Sequence, residues 1–224
     1  HGYVAYRCGD NTAKMLGRLT LDPRKHLDPI GTVALVLLGF GWAKPVPINP
    51  RNFKGNRLKC DFLASIAGII TNLTLFLVSL LLAALINPLL WKPAVIAANG
   101  GAAAFLEMNG LGYSILLSGS GGSYAQYMQT PWLMHIQRFF MMFYSMNLMI
   151  AVFILLPIPP LDGFHIFIDL IFKGRLNMTP QFMRGAQIVF LLLIFSGVLG
   201  TGLIYVTTAV QSGVLNLYLM ILGA

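Results

Sequence analysis

His1 and Asp162 are the residues of this chain whose types and settings invite metal chemistry. A neutral imidazole is a common ligand of divalent metals, and a carboxylate supplies a hard anionic oxygen. Asp162 belongs to Pro157-Ile158-Pro159-Pro160-Leu161-Asp162-Gly163, which follows the apolar run Phe139 to Leu156. The prolines break the preceding helix, and a broken helix at membrane depth is tolerated where protein or a water-filled cavity satisfies the freed backbone groups. A carboxylate there calls for a metal, a proton or a cationic partner. Each residue also has a plainer reading: Asp162 as the N-cap of a helix through Phe164, His165 and Ile166, and His1 as a frayed end. Asn72 is a polar amide inside the apolar stretch Phe62 to Leu90. From the residues alone it reads as a helix-packing contact. His165 lies three residues after Asp162 and can share a helical face with it; an interfacial or packing role is expected. His26 sits in a charged loop with Lys25 and Asp28, where a solvated or loop-organising role is expected, while His135 lies toward the opposite membrane face.

The elements that must position these residues are apolar. The chain is 57% hydrophobic and 10% charged, where soluble domains carry about 25% charged residues. Residues 1–224 read as a single membrane-embedded domain. The expected fold is an all-α polytopic membrane protein: a transmembrane helix bundle with a short re-entrant or strand-like element. Spans are expected at about 62–90, 132–156 and 186–210, with the last turns of a helix at 1–6. The re-entrant element covers about 30–47, because Ile30 to Trp42 is too short to cross and Gly39, Gly41, Pro45 and Pro47 interrupt it. Gly110 to Gly122 reads as a Gly/Ser-rich loop, and Asn147 as a helix–helix hydrogen-bonding residue. Ten Lys/Arg fall in residues 7–61, one in 91–131 and three in 157–185. Positive-inside bias therefore puts the first and third segments in the cytoplasm, and His1 and Asp162 on one side of the membrane at similar depth. Basic residues placed this way explain the net charge of +8 without nucleic acid. Cys8 and Cys60 both fall in the cytoplasmic segment, where a structural disulfide is not expected.

Several stretches occur together and in order: His1-Gly2-Tyr3, Gly17-Arg18-Leu19-Thr20-Leu21, His26-Leu27-Asp28-Pro29-Ile30-Gly31, Gly41-Trp42-Ala43-Lys44-Pro45-Val46-Pro47, Ala67-Gly68-Ile69-Ile70-Thr71-Asn72 and Pro159-Pro160-Leu161-Asp162-Gly163. In these the chain resembles the site-2 protease family of intramembrane zinc metalloproteases, closest to its compact bacterial branch without a PDZ domain. The resemblance covers most of residues 1–173. It implies an HExxH motif of which His1 is the second histidine, so that the first histidine and the glutamate, the general base toward the attacking water, would precede His1. It implies Zn2+ held in part by His1 and Asp162, and Asn72 as an oxyanion-stabilising catalytic residue. Ile69 departs from the family's AGPxxN pattern, which puts the local helix bend in doubt. Ile154 departs too, where relatives often carry asparagine. Gly41, Trp42, Ala43 and Lys44 become candidates for substrate binding by strand addition, with plain re-entrant packing as the other reading. The implied function is cleavage of a membrane-spanning protein near its cytoplasmic end, with the lipid bilayer as partner and the bacterial cytoplasmic membrane as location. The 224 residues alone are expected to be inactive. An inactive relative serving as a membrane binding module, or a small ion-coupled transporter with Asp162 carrying protons, are the rival expectations.

Overall fold

The computed structural model describes residues 1–38, 43–159, 161–173 and 179–223. Among them eleven α-helices form. The first five are α1 (Gly2–Arg7), α2 (Thr12–Met15), α3 (Pro29–Leu38), α4 (Arg57–Leu90) and α5 (Pro93–Ala98). Then come α6 (Ala103–Leu106), α7 (Leu111–Leu117), α8 (Leu133–Ile154), α9 (Asp162–Phe172), α10 (Pro180–Phe195) and α11 (Val198–Leu222). No strand occurs among the described residues; Leu27 and Ala43, and Trp91 and Met128, form isolated antiparallel bridges. Helices α4, α8 and α11 have 34, 22 and 25 residues and are apolar enough to cross a membrane. At about 1.5 Å per residue the shortest reaches about 33 Å, against a hydrocarbon core of about 30 Å. The chain is an all-α polytopic membrane protein.

One expected span is corrected. The apolar run 186–210 is not one helix. It divides at Ser196–Gly197, where Gly197 takes φ +74°, a left-handed conformation that ends α10 and starts α11. The crossing helix is α11, displaced toward the C-terminus. The expected loop at Gly110–Gly122 is also corrected, since Leu111–Leu117 is helical. Gly112 is there for close approach: a Cβ at that position would stand 2.7 Å from Phe105 Cα.

The chain divides into two compact units, His1–Gly68 with Pro157–Pro180, and Ile69–Leu156 with Gln181–Ala224. In the second, Phe76, Leu80 and Ala83 of α4, Met141, Tyr144 and Leu148 of α8, and Leu215 and Leu219 of α11 make a buried apolar cluster with Phe105 and Leu106. Neutral polar side chains cap backbone groups inside it. Tyr144 Oη donates to Leu106 O at 2.5 Å, and Gln211 Nε2 donates to the same carbonyl at 3.1 Å. Gln137 Nε2 donates to Ala83 O at 3.1 Å. Asn147 Nδ2 donates to Phe143 O at 2.8 Å, one turn back in α8.

The first unit is tied together by hydrogen bonds to ionised side chains. Asp10 is buried and accepts from Thr12 N (3.0 Å), Asn49 N (2.7 Å) and Asn52 Nδ2 (3.0 Å), joining the turn before α2 to the loop before α4. Arg18 donates to the carbonyls of Lys25, Lys44 (2.7 Å) and Pro45 (3.1 Å). His26 Nε2 donates to Thr20 O at 2.8 Å. Asp28 caps α3 through Gly31 N at 2.9 Å, and Pro29 supplies the fixed φ of a first helical residue.

Candidate metal and catalytic site

The site in the first unit is built on the opening turns of α4. Ala5 packs with Phe53 and Cys60 in a small apolar cluster, with Cys8 and Ile48 against it. This seats α1 beside the start of α4. His1 caps the backbone of α1, its carbonyl accepting from Ala5 N at 2.9 Å. Its Nδ1 lies 2.8 Å from Ala64 O. A carbonyl only accepts, so Nδ1 carries a proton, and in the neutral ring Nε2 keeps its lone pair. Gly68, one turn after Ala64, leaves room for the ring: a Cβ there would overlap His1 Nε2 and stand 2.7 Å from Cε1.

Nε2 points toward α9. Asp162, in the first turn of α9, places Oδ2 3.5 Å from His1 Nε2. The N-cap of α9 is Leu161, with Asp162 its first helical residue. Two ligands bound at roughly 2.0–2.2 Å on one tetrahedral ion lie about 3.3–3.6 Å apart. The observed separation fits that, as does the carbonyl that fixes the histidine tautomer, a common outer partner of metal-bound histidines. No group of three or more His, Cys, Asp or Glu able to hold a metal occurs among the described residues. The facing donors are one imidazole and one carboxylate.

Two further ionisable residues share the cavity. It has a volume of about 200 Å³ and is lined by His1, Asp61, Ser65, Asp162 and His165, among others. His165 Nδ1 stands 3.7 Å from Asp61 Oδ2. The Asp61 carboxylate pushes the His165 imidazole up from its ordinary value, opposed by burial. Burial pushes the Asp162 carboxyl up, opposed by the His165 charge. Asp169, one turn beyond His165 on α9, is pushed up to about 6 by burial and then by Asp61.

The remaining expected residues divide as follows. Asn72 is partly buried in α4, in the second unit, one turn after Gly68 along the helix. Gly41 and Trp42 lie outside the described residues. Ala43 pairs with Leu27, and Lys44 N donates to His26 O at 2.8 Å. That bond makes Leu27 and Ala43 a non-hydrogen-bonded pair, so the N–H and C=O of Ala43 face away from Leu27. Ala43 and Lys44 are exposed. The sequence reading did not assign a role to Asp61 or find the Asp10 network. Asn11 and Thr12 after Asp10 are turn-forming residue types, the one local sign of that network.

The family model of peptidase family M50 matches residues 1–197. A protein of Bacillus subtilis (strain 168) named "Putative zinc metalloprotease YwhC" is 40% identical over 194 residues, covering 86% of this chain and 72% of that one. No solved structure matches the chain. A match over most of its length, with His1 and Asp162 facing each other, means that the chain belongs to peptidase family M50, the site-2 proteases.

Proposed function

We propose that this chain carries the proteolytic centre of a zinc-dependent intramembrane endopeptidase that cleaves a membrane-spanning protein near its cytoplasmic end. The observation that carries the reading is the 3.5 Å approach of His1 Nε2 to Asp162 Oδ2, with Nδ1 committed to Ala64 O. Zinc, when bound, supplies Lewis acidity toward the attacking water and the scissile carbonyl. His1 and Asp162 hold two of its positions. The Ala64 carbonyl keeps the ring in one tautomer, and Gly68 keeps the ring's place open. Asn72 donates its amide N–H to the oxyanion that forms when water adds to the peptide carbonyl. Family resemblance supports that role. The general base is the glutamate that the HExxH motif places three residues ahead of His1. Substrate backbone must be extended to be cut, because helical carbonyls are engaged in hydrogen bonds. Ala43 and Lys44 offer an edge for it, supported by the outward-facing N–H and C=O of Ala43. The basic residues of 7–61 support a cytoplasmic location for the centre in a bacterial membrane.

The test uses this chain preceded by a helix whose last residues complete HExxH at His1, hereafter the extended chain. Reconstituted in lipid, it is expected to bind zinc and cleave a membrane-spanning peptide, and a chelator should abolish both. The 224 residues alone are expected to bind zinc weakly and cleave nothing. Metal-dependent cleavage by the 224-residue chain, or full zinc occupancy in extended Asp162→Ala, would refute the assignment.

A further inference from the structure

The helix that seats His1 also holds α9, through a second pair of residues. On α4, Asp61, Ala64 and Gly68 follow one another at helical spacing, so they line one face. On α9, Asp162, His165 and Asp169 do the same. His1 rests on Ala64 and Gly68; His165 rests on Asp61, with Nδ1 3.7 Å from Oδ2. Both pairs, His1–Asp162 and Asp61–His165, line one cavity. Within the first unit α4 is thus a common bed, and His1 and Asp162 reach it by separate routes. The 3.5 Å between Nε2 and Oδ2 depends on both. If α9 slid or turned by a fraction of a helical step against α4, Asp162 would leave His1 while each helix stayed intact.

We propose that Asp61 and His165 are positioning residues: their pair sets the placement of α9 on α4 and so holds Asp162 opposite His1. This rests on the metal reading above. The pair is not a strong stabiliser. The His165 side chain is 54% exposed and that of Asp61 29%, and water screens such pairs until they contribute little to folding. What it supplies is placement. Metal sites tolerate about 0.5 Å of misplacement, so a weak contact at the right point governs affinity without governing stability. His165 has a competing role as a ligand, since it lines the cavity itself, and the two roles leave different marks on a bound metal.

The experiment is cobalt and zinc titration of the extended chain against a chromophoric chelator, with a thermal melt on each preparation. Asp61→Asn and His165→Asn are each expected to lower metal affinity about tenfold, the lower end of the range for residues that orient ligands. Melting temperature should barely change. The cobalt spectrum at saturation should match the parent, because no ligand is lost. The exchanged pair, Asp61→His with His165→Asp, keeps the contact in reverse and is expected to recover most of the affinity. Asp22→Asn, at an exposed turn that does not line this cavity, should bind as the parent does. Parent-like affinity in both single variants would overturn the proposal. So would a changed cobalt spectrum in His165→Asn, which would make His165 a ligand, or an exchanged pair that regains stability but not affinity. A parent that binds neither metal would overturn the metal reading and this proposal with it.

Discussion

Gly68→Ala should weaken metal binding while leaving the fold intact. In α4 this glycine faces the His1 ring, and an added Cβ would overlap Nε2 and stand 2.7 Å from Cε1. Ordinary contact begins near 3.4 Å, so the ring must retreat by about 0.7 Å to clear Cε1 alone and by more to clear the overlapping Nε2, beyond the roughly 0.5 Å that a binding constellation tolerates. Taken along the Nδ1–Ala64 O bond of 2.8 Å, that retreat reaches the limit of a hydrogen bond, and its loss costs about 1 kcal/mol. Alanine returns about 1 kcal/mol in helix propensity over glycine. The two offset, so the melting temperature should hold. The metal loses the alignment of one ligand, and affinity should fall roughly 10–100-fold, the range found when ligand orientation is disturbed. The assay is chelator competition with zinc on the extended chain, paired with a melt on the same sample. Parent-like affinity in Gly68→Ala would show that the imidazole is not seated against α4. A large drop in melting temperature would show that Gly68 serves packing instead.

Asp10 is buried; burial would push its carboxyl up, but the hydrogen bonds from Thr12, Asn49 and Asn52 outweigh it and hold the group at about 2. Against its ordinary 3.8 this contributes about 2 kcal/mol of stability. A depressed carboxyl stabilises the fold above its unfolded value, so the contribution should be full above about pH 5 and fade between about pH 4 and pH 2. Asp10→Asn should flatten that part of the acid-unfolding profile, and an unchanged profile would rule the network out as its source. Asn72→Ala in the extended chain should cut the cleavage rate by about 10²–10³ with zinc content unchanged; unchanged cleavage with a lower melting temperature would assign Asn72 to packing. Gly112→Ala should destabilise by about 1–3 kcal/mol through collision with the Phe105 backbone, whereas Gly122→Ala, with open space around it, should leave the melt unchanged.

Hydropathy and charge made the helical membrane class and two of the three crossing helices legible. They also gave the expectation that His1 and Asp162 share one side of the membrane, with which their 3.5 Å approach agrees. The third span slipped because hydropathy runs unbroken from Ala186 to Val210, while the break at Gly197 is a backbone dihedral that side-chain polarity does not encode. Gly112 misled for a related reason. A glycine signals either freedom or closeness, and only the neighbour, here Phe105, tells which. The same ambiguity hid the task of Gly68, which suits general helix packing until the His1 ring is seen beside it. Asp61 and His165 are 104 positions apart in the chain, and neither carries a local signal of the other.

The distribution of charge explains why the chemistry collects where it does. Six of the seven acidic residues, Asp10, Asp22, Asp28, Asp61, Asp162 and Asp169, belong to the first unit; Glu107 is the exception. The buried polar side chains of the second unit include Ser79, Asn87, Gln137, Asn147, Thr207 and Gln211, all of them neutral. An ionised group in hydrocarbon must find a partner or lose its charge, so a helix that crosses the bilayer gains cohesion from amides and hydroxyls and reserves carboxylates for its ends. Helix α4 does both along one length: Asp61 stands in its second turn, while the face beyond Gly68 is joined to α8 through Gln137 and Ala83. The two units should therefore respond to different probes. Exchanging Asp61, Asp162 or His165 should change metal affinity and barely move the melt. Replacing Gln137 or Gln211 with leucine leaves the Ala83 or Leu106 carbonyl with one donor fewer, which should move the melt and leave metal affinity alone. If both sets moved both quantities together, the site would not be separable from the bundle, and the placement argument for Asp61 and His165 would lose its footing.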